Sequence, residues 1–179
     1  MLTPILIGLA VIILVFVVVV AAQPTDFRIT RKALISATPS TVFAQVNDLP
    51  KWQEWSPWAK LDPNAKMTYQ GPSSGPGAGY TWSGNNKVGE GRMTIMESRP
   101  SELVRLRLEF LRPFKATNTA EFTFRPEGGQ TAVTWTMTGQ NNFMGKAFGL
   151  FVNCDKMVGG DFEKGLAQLK SIAEVTANP

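Results

Sequence analysis

Glu90 and Arg92 stand two positions apart in the stretch "VGEGRMTIMES", so on a strand they share one face. Turned inward, they would make an acid/base site; turned outward, an ordinary solvated pair. Asp155 with Asp161 and Glu90 with Glu97 are the other acid pairs, and neither spacing supplies a partner by itself. Tyr69 and Tyr80 are the remaining groups able to move a proton. "GPSSG" at 71–75 matches G-x-S-x-G, but it lies between strand-like stretches in a chain with no histidine. "GPGAG" at 75–79 has no following helix to receive a phosphate. Without histidine, Ser-His-Asp and Cys-His catalysis and His-ligated metals are excluded. The single cysteine, Cys154, excludes an internal disulfide and a multi-Cys zinc site, and reads as a small apolar packing residue. No metal and no cofactor is expected, and no catalytic residue can be named.

Lys and Arg number 18 against 14 Asp and Glu in 179 residues. The excess is dispersed over Arg28, Arg31, Lys32, Arg105, Arg107, Arg112 and Lys115, with no basic run of the kind that tracks phosphates. Nucleic acid is therefore not expected as a partner. A mildly basic surface favours an anionic bilayer instead.

The opening "MLTPILIGLAVIILVFVVVVAAQPTDF" has no charged side chain before Asp26, and Ile5 to Ala22 are all apolar or glycine. A helix from Leu2 to Ala22 reaches about 30 Å, the thickness of a hydrocarbon core. Pro4 sits in the first turn and Pro24 stops the helix. Val20-Ala21-Ala22 loosely resembles a signal cleavage site. The run is longer than a signal core, however, and no Lys or Arg precedes it. Residues 1–25 are expected to be a single transmembrane anchor. Arg28, Arg31 and Lys32 then place residues 26–179 in the cytoplasm as one domain.

Within that domain "FRITRKALIS" predicts a first strand. Thr38 and Pro39 open a helix bearing Val42, Phe43 and Val46. "KWQEW" adds one short turn before Ser56-Pro57. The period then changes to two. Strands are predicted at 66–70, 78–82, 88–98, 102–110, 115–126 and 130–140. In "ELVRLRLEF", Val104, Leu106, Leu108 and Phe110 alternate with Arg105, Arg107 and Glu109, marking a sheet with one dry face. Helices are predicted at 142–153 and 155–175. In the second, Gly159, Gly160 and Gly165 each cost about 1 kcal/mol against alanine, which close approach to a sheet would offset. The class is α+β: a curved antiparallel sheet around a long C-terminal helix, preceded by one transmembrane helix.

The stretches "ISATPSTVFAQVNDLPKWQEWSPW", "GEGRMTIMESRP", "TAEFTFRPEGGQTAVTW" and "DFEKGLAQLKSIAE" arrive in the order of a known architecture. From about Ile29 to Ala173 the chain resembles the START/Bet v 1-like (SRPBCC) superfamily, including polyketide cyclase/dehydrase-like proteins. The resemblance implies a helix-grip fold with a hydrophobic cavity between the sheet and the last helix. It implies no single chemistry, since members bind lipids, quinones, sterols or polyketides and only some are enzymes.

Trp52, Trp55 and Trp58 fall within seven positions. The first two are expected to pack the short helices onto the sheet. Trp58, beyond the break at Pro57, suits a cavity rim, where indole offers apolar area and one donor. With Trp58, the residues Tyr80, Trp82, Leu108, Phe110, Trp135 and Phe151 are the candidate wall of the cavity, although each also serves an ordinary core. The function expected is a membrane-anchored domain binding a hydrophobic small molecule. A cyclase- or dehydratase-like enzyme using Glu90, Asp155, Tyr69 or Tyr80, and a protein-interaction module with a filled cavity, stay open beside it.

Overall fold

A computed structural model describes residues 2–177. Helix α1 (Leu2–Ala21) is apolar on every face, and Val20 alone among its described side chains is buried. Thr3–Ala21 is long and apolar enough to cross a bilayer, a test that a signal sequence also passes. Strand β1 (Asp26–Ile35) follows. Helix α2 (Pro39–Asn47) starts where the Thr38 hydroxyl accepts from the Thr41 N–H at 3.3 Å, with proline in a position that needs no donor. A 3-10 turn (Leu49–Lys51) leads into the single turn α3 (Trp52–Trp55), which Ser56-Pro57 ends.

Six strands come next: β2 (Lys66–Gln70), β3 (Gly79–Ser83), β4 (Glu90–Arg99), β5 (Leu103–Arg112), β6 (Ala116–Glu127) and β7 (Gln130–Gln140). They form one antiparallel sheet with β1, in the order β1-β7-β6-β5-β4-β3-β2. The helices α4 (Phe143–Gly149) and α5 (Cys154–Ala177) end the chain. The break between them has a local cause: the Asn153 side chain accepts from the Lys156 N–H at 2.9 Å and starts α5 afresh. Helix α4 is thus shorter than the 142–153 predicted.

Register defines two ends of the sheet. Asp26 lies opposite Gln140, Phe110 opposite Ala116, and Glu90 opposite both Ser83 and Arg112. These residues share the end from which α1 departs, here the anchor end. The turns at Pro100-Ser101 and Gly128-Gly129 lie at the far end.

Alternation sorts the two faces as the β5 sequence predicts. Val104 and Leu106 are buried, while Arg105 bonds Glu97 and Glu121 and Arg92 bonds Glu109 at 2.7 Å on the convex face. Such exposed pairs add little stability each. On the concave face an aromatic cluster fills the far half. Trp52 and Trp55 are buried, with indole N–H groups donating to Val46 O at 2.8 Å and Gln45 O at 3.2 Å. Trp135 stacks on Phe162 at 4.0 Å and 5°, and Phe122 closes the group.

Two of the three α5 glycines mark close approaches. A Cβ on Gly165 would come 2.9 Å from the Trp135 ring and 3.0 Å from Pro57, and one on Gly159 would meet the Arg31 guanidinium. Gly160 has open space, so close approach does not explain it. Gly165→Val is therefore expected to destabilise the fold by about 2 kcal/mol through overpacking, read as a lower urea midpoint with unchanged slope.

Candidate functional site

The backbone of helix α5 runs chiefly beside β1, α2 and α3, and Phe162 and Gly165 reach Trp135 of β7. On the concave face of β3–β5 at the anchor end, Tyr80, Trp82, Leu108 and Phe110 are half-buried. Between sheet and last helix the far half is solid with rings, and the half-buried anchor half is called the trough below.

Two cross-strand rows floor the trough. In one, Tyr80 lies opposite Met93, Met93 opposite Leu108 and Leu108 opposite Asn118. In the other, Trp82 lies opposite Gly91 and Gly91 opposite Phe110. The missing Cβ of Gly91 makes room for the Trp82 indole, which a Cβ would approach to 2.5 Å. That ring meets Phe110 at 5.8 Å and donates its N–H to Val88 O at 3.0 Å. Burial, together with the neighbouring Tyr69, pushes the Tyr80 hydroxyl pKa well up and keeps it protonated at neutral pH.

The other predicted wall residues fall elsewhere. Trp58 stands edge-on to Trp135 at 5.8 Å and to Phe162 at 6.3 Å, at the border between trough and core. Trp135 lies inside the aromatic cluster. Phe151 is not brought to the concave face: it sits in the α4–α5 connection, 79% exposed.

Asn118 was missed by sequence reasoning. It is only 8% exposed, its Oδ1 accepts no hydrogen bond from the protein, and its Nδ2 reaches only the Met137 sulfur at 3.9 Å. The amide rests over Gly139, where a Cβ would come 2.2 Å from Oδ1. The Trp135 indole N–H is a second buried polar group without a protein partner. An orphaned buried group costs about 1–3 kcal/mol, which an incoming partner recovers. A signal for Asn118 existed: in "NTAEFTF", positions 118, 120, 122 and 124 share the dry phase.

The acids do not converge on the trough. Glu90 and Arg92 face outward, Glu90 bonding Arg112 at 3.1 Å. Asp161 pairs with Lys164 at 3.0 Å. Asp155 and Glu163 grip Arg31 at 3.0 and 2.7 Å, tying α5 to β1. The hydrogen bond from Arg31 holds the Asp155 carboxyl below its ordinary value of 3.8. A depressed carboxylate adds stability that is full above its unfolded pKa and is lost as pH falls through the folded one. The clamp therefore weakens only on the acid side, below pH 3.8. Arg31→Met is expected to return the Asp155 titration, followed by carboxyl carbon NMR, toward that value.

The comparisons with known proteins fall into place on this geometry. A family model described as polyketide cyclase / dehydrase and lipid transport matches residues 26–174. The chain belongs to this family. Its helix-grip fold recurs in solved structures. A protein from Chromobacterium violaceum superposes with a TM-score of 0.59 at 15% identity, over 85% of this chain and 99% of that one. The di-domain ARO/CYC StfQ of the steffimycin biosynthetic pathway gives 0.64 at 10% identity, over 87% of this chain and 53% of that one. A hypothetical protein from Helicobacter pylori gives 0.62 at 12%, over 85% and 90%. No curated relative matches the sequence. The family match begins at Asp26, so α1 lies outside it.

Proposed function

We propose that the chain is a membrane-anchored domain that binds a hydrophobic small molecule, of lipid, quinone or polyketide-like character, in the trough at the anchor end. The observation that carries this reading is Asn118, an unpartnered buried amide on an otherwise apolar floor of Tyr80, Met93 and Leu108. Apolar burial supplies affinity at about 25 cal/mol per Å², and one polar group suffices to orient the ligand. The ligand best suited has a hydroxyl or N–H that donates to Asn118 Oδ1. Tethering by α1, with the domain on the cytoplasmic side, keeps the site at high local concentration of molecules drawn from the bilayer. Of the groups named for the enzymatic alternative, Glu90 and Asp155 are engaged elsewhere and Tyr80 alone stands on the trough floor, with Tyr69 beside it.

The test uses the full chain in vesicles with a diazirine-bearing long-chain alcohol. Photolabelling is expected in peptides spanning Tyr80–Phe110 as well as in α1. Leu108→Arg abolishes the first and spares the second. Asn118→Val lowers labelling of the sheet about tenfold, the equivalent of one orphaned group restored. Labelling confined to α1 in the wild-type chain contradicts the proposal.

A further inference from the structure

Large apolar side chains gather at the anchor end, outside the trough. Leu111 and Phe114, around the β5–β6 turn, are 50% and 59% exposed. Phe143, Met144 and Phe148 of α4 are 46–56% exposed, and Phe151 follows just beyond. Register brings these segments together: Asn118, near the start of β6, lies opposite Gly139, near the end of β7, so the β5–β6 turn borders the chain entering α4. The far-end turns read Arg-Pro-Ser-Glu and Glu-Gly-Gly-Gln, with no large apolar residue. At the far end Val175, near the end of α5, is comparably exposed. The concentration at the anchor end is the observation to explain, because a helix in water turns such side chains inward.

What covers the patch is indicated by what it adjoins. Helix α4 packs against α1. Val20 is fully buried there, Lys146 Nζ reaches Ala21 O at 3.4 Å, and the Asn141 N–H donates to Thr25 O at 2.7 Å. The patch is thus continuous with the foot of a helix whose remaining apolar surface is exposed along its length. Lys115 and Lys146 stand on the same segments, and Lys87 in the β3–β4 connection at the same end, where cations suit anionic headgroups. Between the start of β1 and α4 with its connection to α5 runs a groove of about 550 Å³ lined by Phe27, Lys146, Leu150, Phe151 and Cys154 among others.

We propose that this end of the domain is a membrane seat: α4 and the β5–β6 turn sink their apolar side chains into the same bilayer interface that α1 enters. The seat rests on the reading of α1 as an anchor. It holds the groove and the trough behind it against the lipid surface. Apolar side chains flanked by lysines are the composition that lies in such an interface.

The experiment uses the full chain with Cys154→Ser, reconstituted in phosphatidylcholine vesicles containing a minority of phosphatidylglycerol. Single cysteines at Phe114→Cys, Phe148→Cys, Val11→Cys and Ser101→Cys are labelled with an environment-sensitive fluorophore. Quenching by brominated phosphatidylcholine is then compared, with circular dichroism to confirm folding. The seat predicts quenching at 114 and 148 at least about twice that at 101, together with a blue shift. If 11 is quenched while either 114 or 148 behaves like 101, the seat is overturned and the anchor stands. If 11 is not quenched, the anchor reading fails and the seat with it.

Discussion

Trp135→Ala is expected to lower the unfolding free energy by about 4 kcal/mol, the largest loss from any single truncation in the domain. The ring stacks on Phe162 at 4.0 Å and meets Phe122 at 4.7 Å, Trp58 at 5.8 Å, Trp55 at 5.9 Å and Trp52 at 6.3 Å. Truncation empties the point where β7, α3 and α5 meet. Gly165, pressed against the ring, cannot fill the gap because it has no side chain. One term acts the other way. The indole N–H has no acceptor, so its removal relieves about 1 kcal/mol of desolvation. Trp135→Phe keeps much of the stack and sheds the orphaned donor, so its cost should stay near 1 kcal/mol. Urea unfolding of the full chain in detergent, followed by circular dichroism, measures both. A Trp135→Ala loss under about 1 kcal/mol would show that the rings are not the mechanical centre of the fold.

Val11→Arg combined with Leu14→Arg is expected to release the chain from the membrane fraction. Each arginine at the middle of a span costs about 3 kcal/mol of apparent insertion free energy. The pair costs about 6 kcal/mol, roughly four orders of magnitude in partition. The seat of α4 and the β5–β6 turn is peripheral and does not resist carbonate, and among the described side chains of α1 only Val20 is buried. Carbonate extraction of cell membranes should find the wild-type chain in the pellet and the variant in the supernatant. The intact mass of the wild-type chain should include residues 1–22. A mass beginning after Ala22 would identify a cleaved signal instead.

The elements were legible because their signals are local. The Thr38-Pro39 cap, the alternation from Val104 to Phe110 and the Gly128-Gly129 turn each act within a few residues, and each produced the expected element. The spacing of Glu90 and Arg92 left their face open; Gly91, Met93 and Ile95 hold the dry phase of β4, which sends the charges outward. What was not legible is where α5 lies across the sheet. That position depends on non-local fits, Gly159 over Arg31 and Gly165 over Trp135, which no single segment contains. The same limit misplaced Phe151. Its expected place was the wall with the other rings, on a helix predicted over 142–153, but α4 ends at Gly149, Asn153 starts α5, and the ring is exposed between them. Asn118 differs in kind, since its phase on β6 was readable and its polarity on a dry face was the clue.

Organic extraction of the purified full chain, with mass spectrometry of what is released, puts the trough to its most direct trial. The account predicts that an apolar molecule bearing a hydroxyl or N–H leaves with the wild-type chain in near-equal molar amount and is missing from Leu108→Arg. A wild-type chain that releases only bulk membrane lipid, in the same amount as Leu108→Arg, would contradict it.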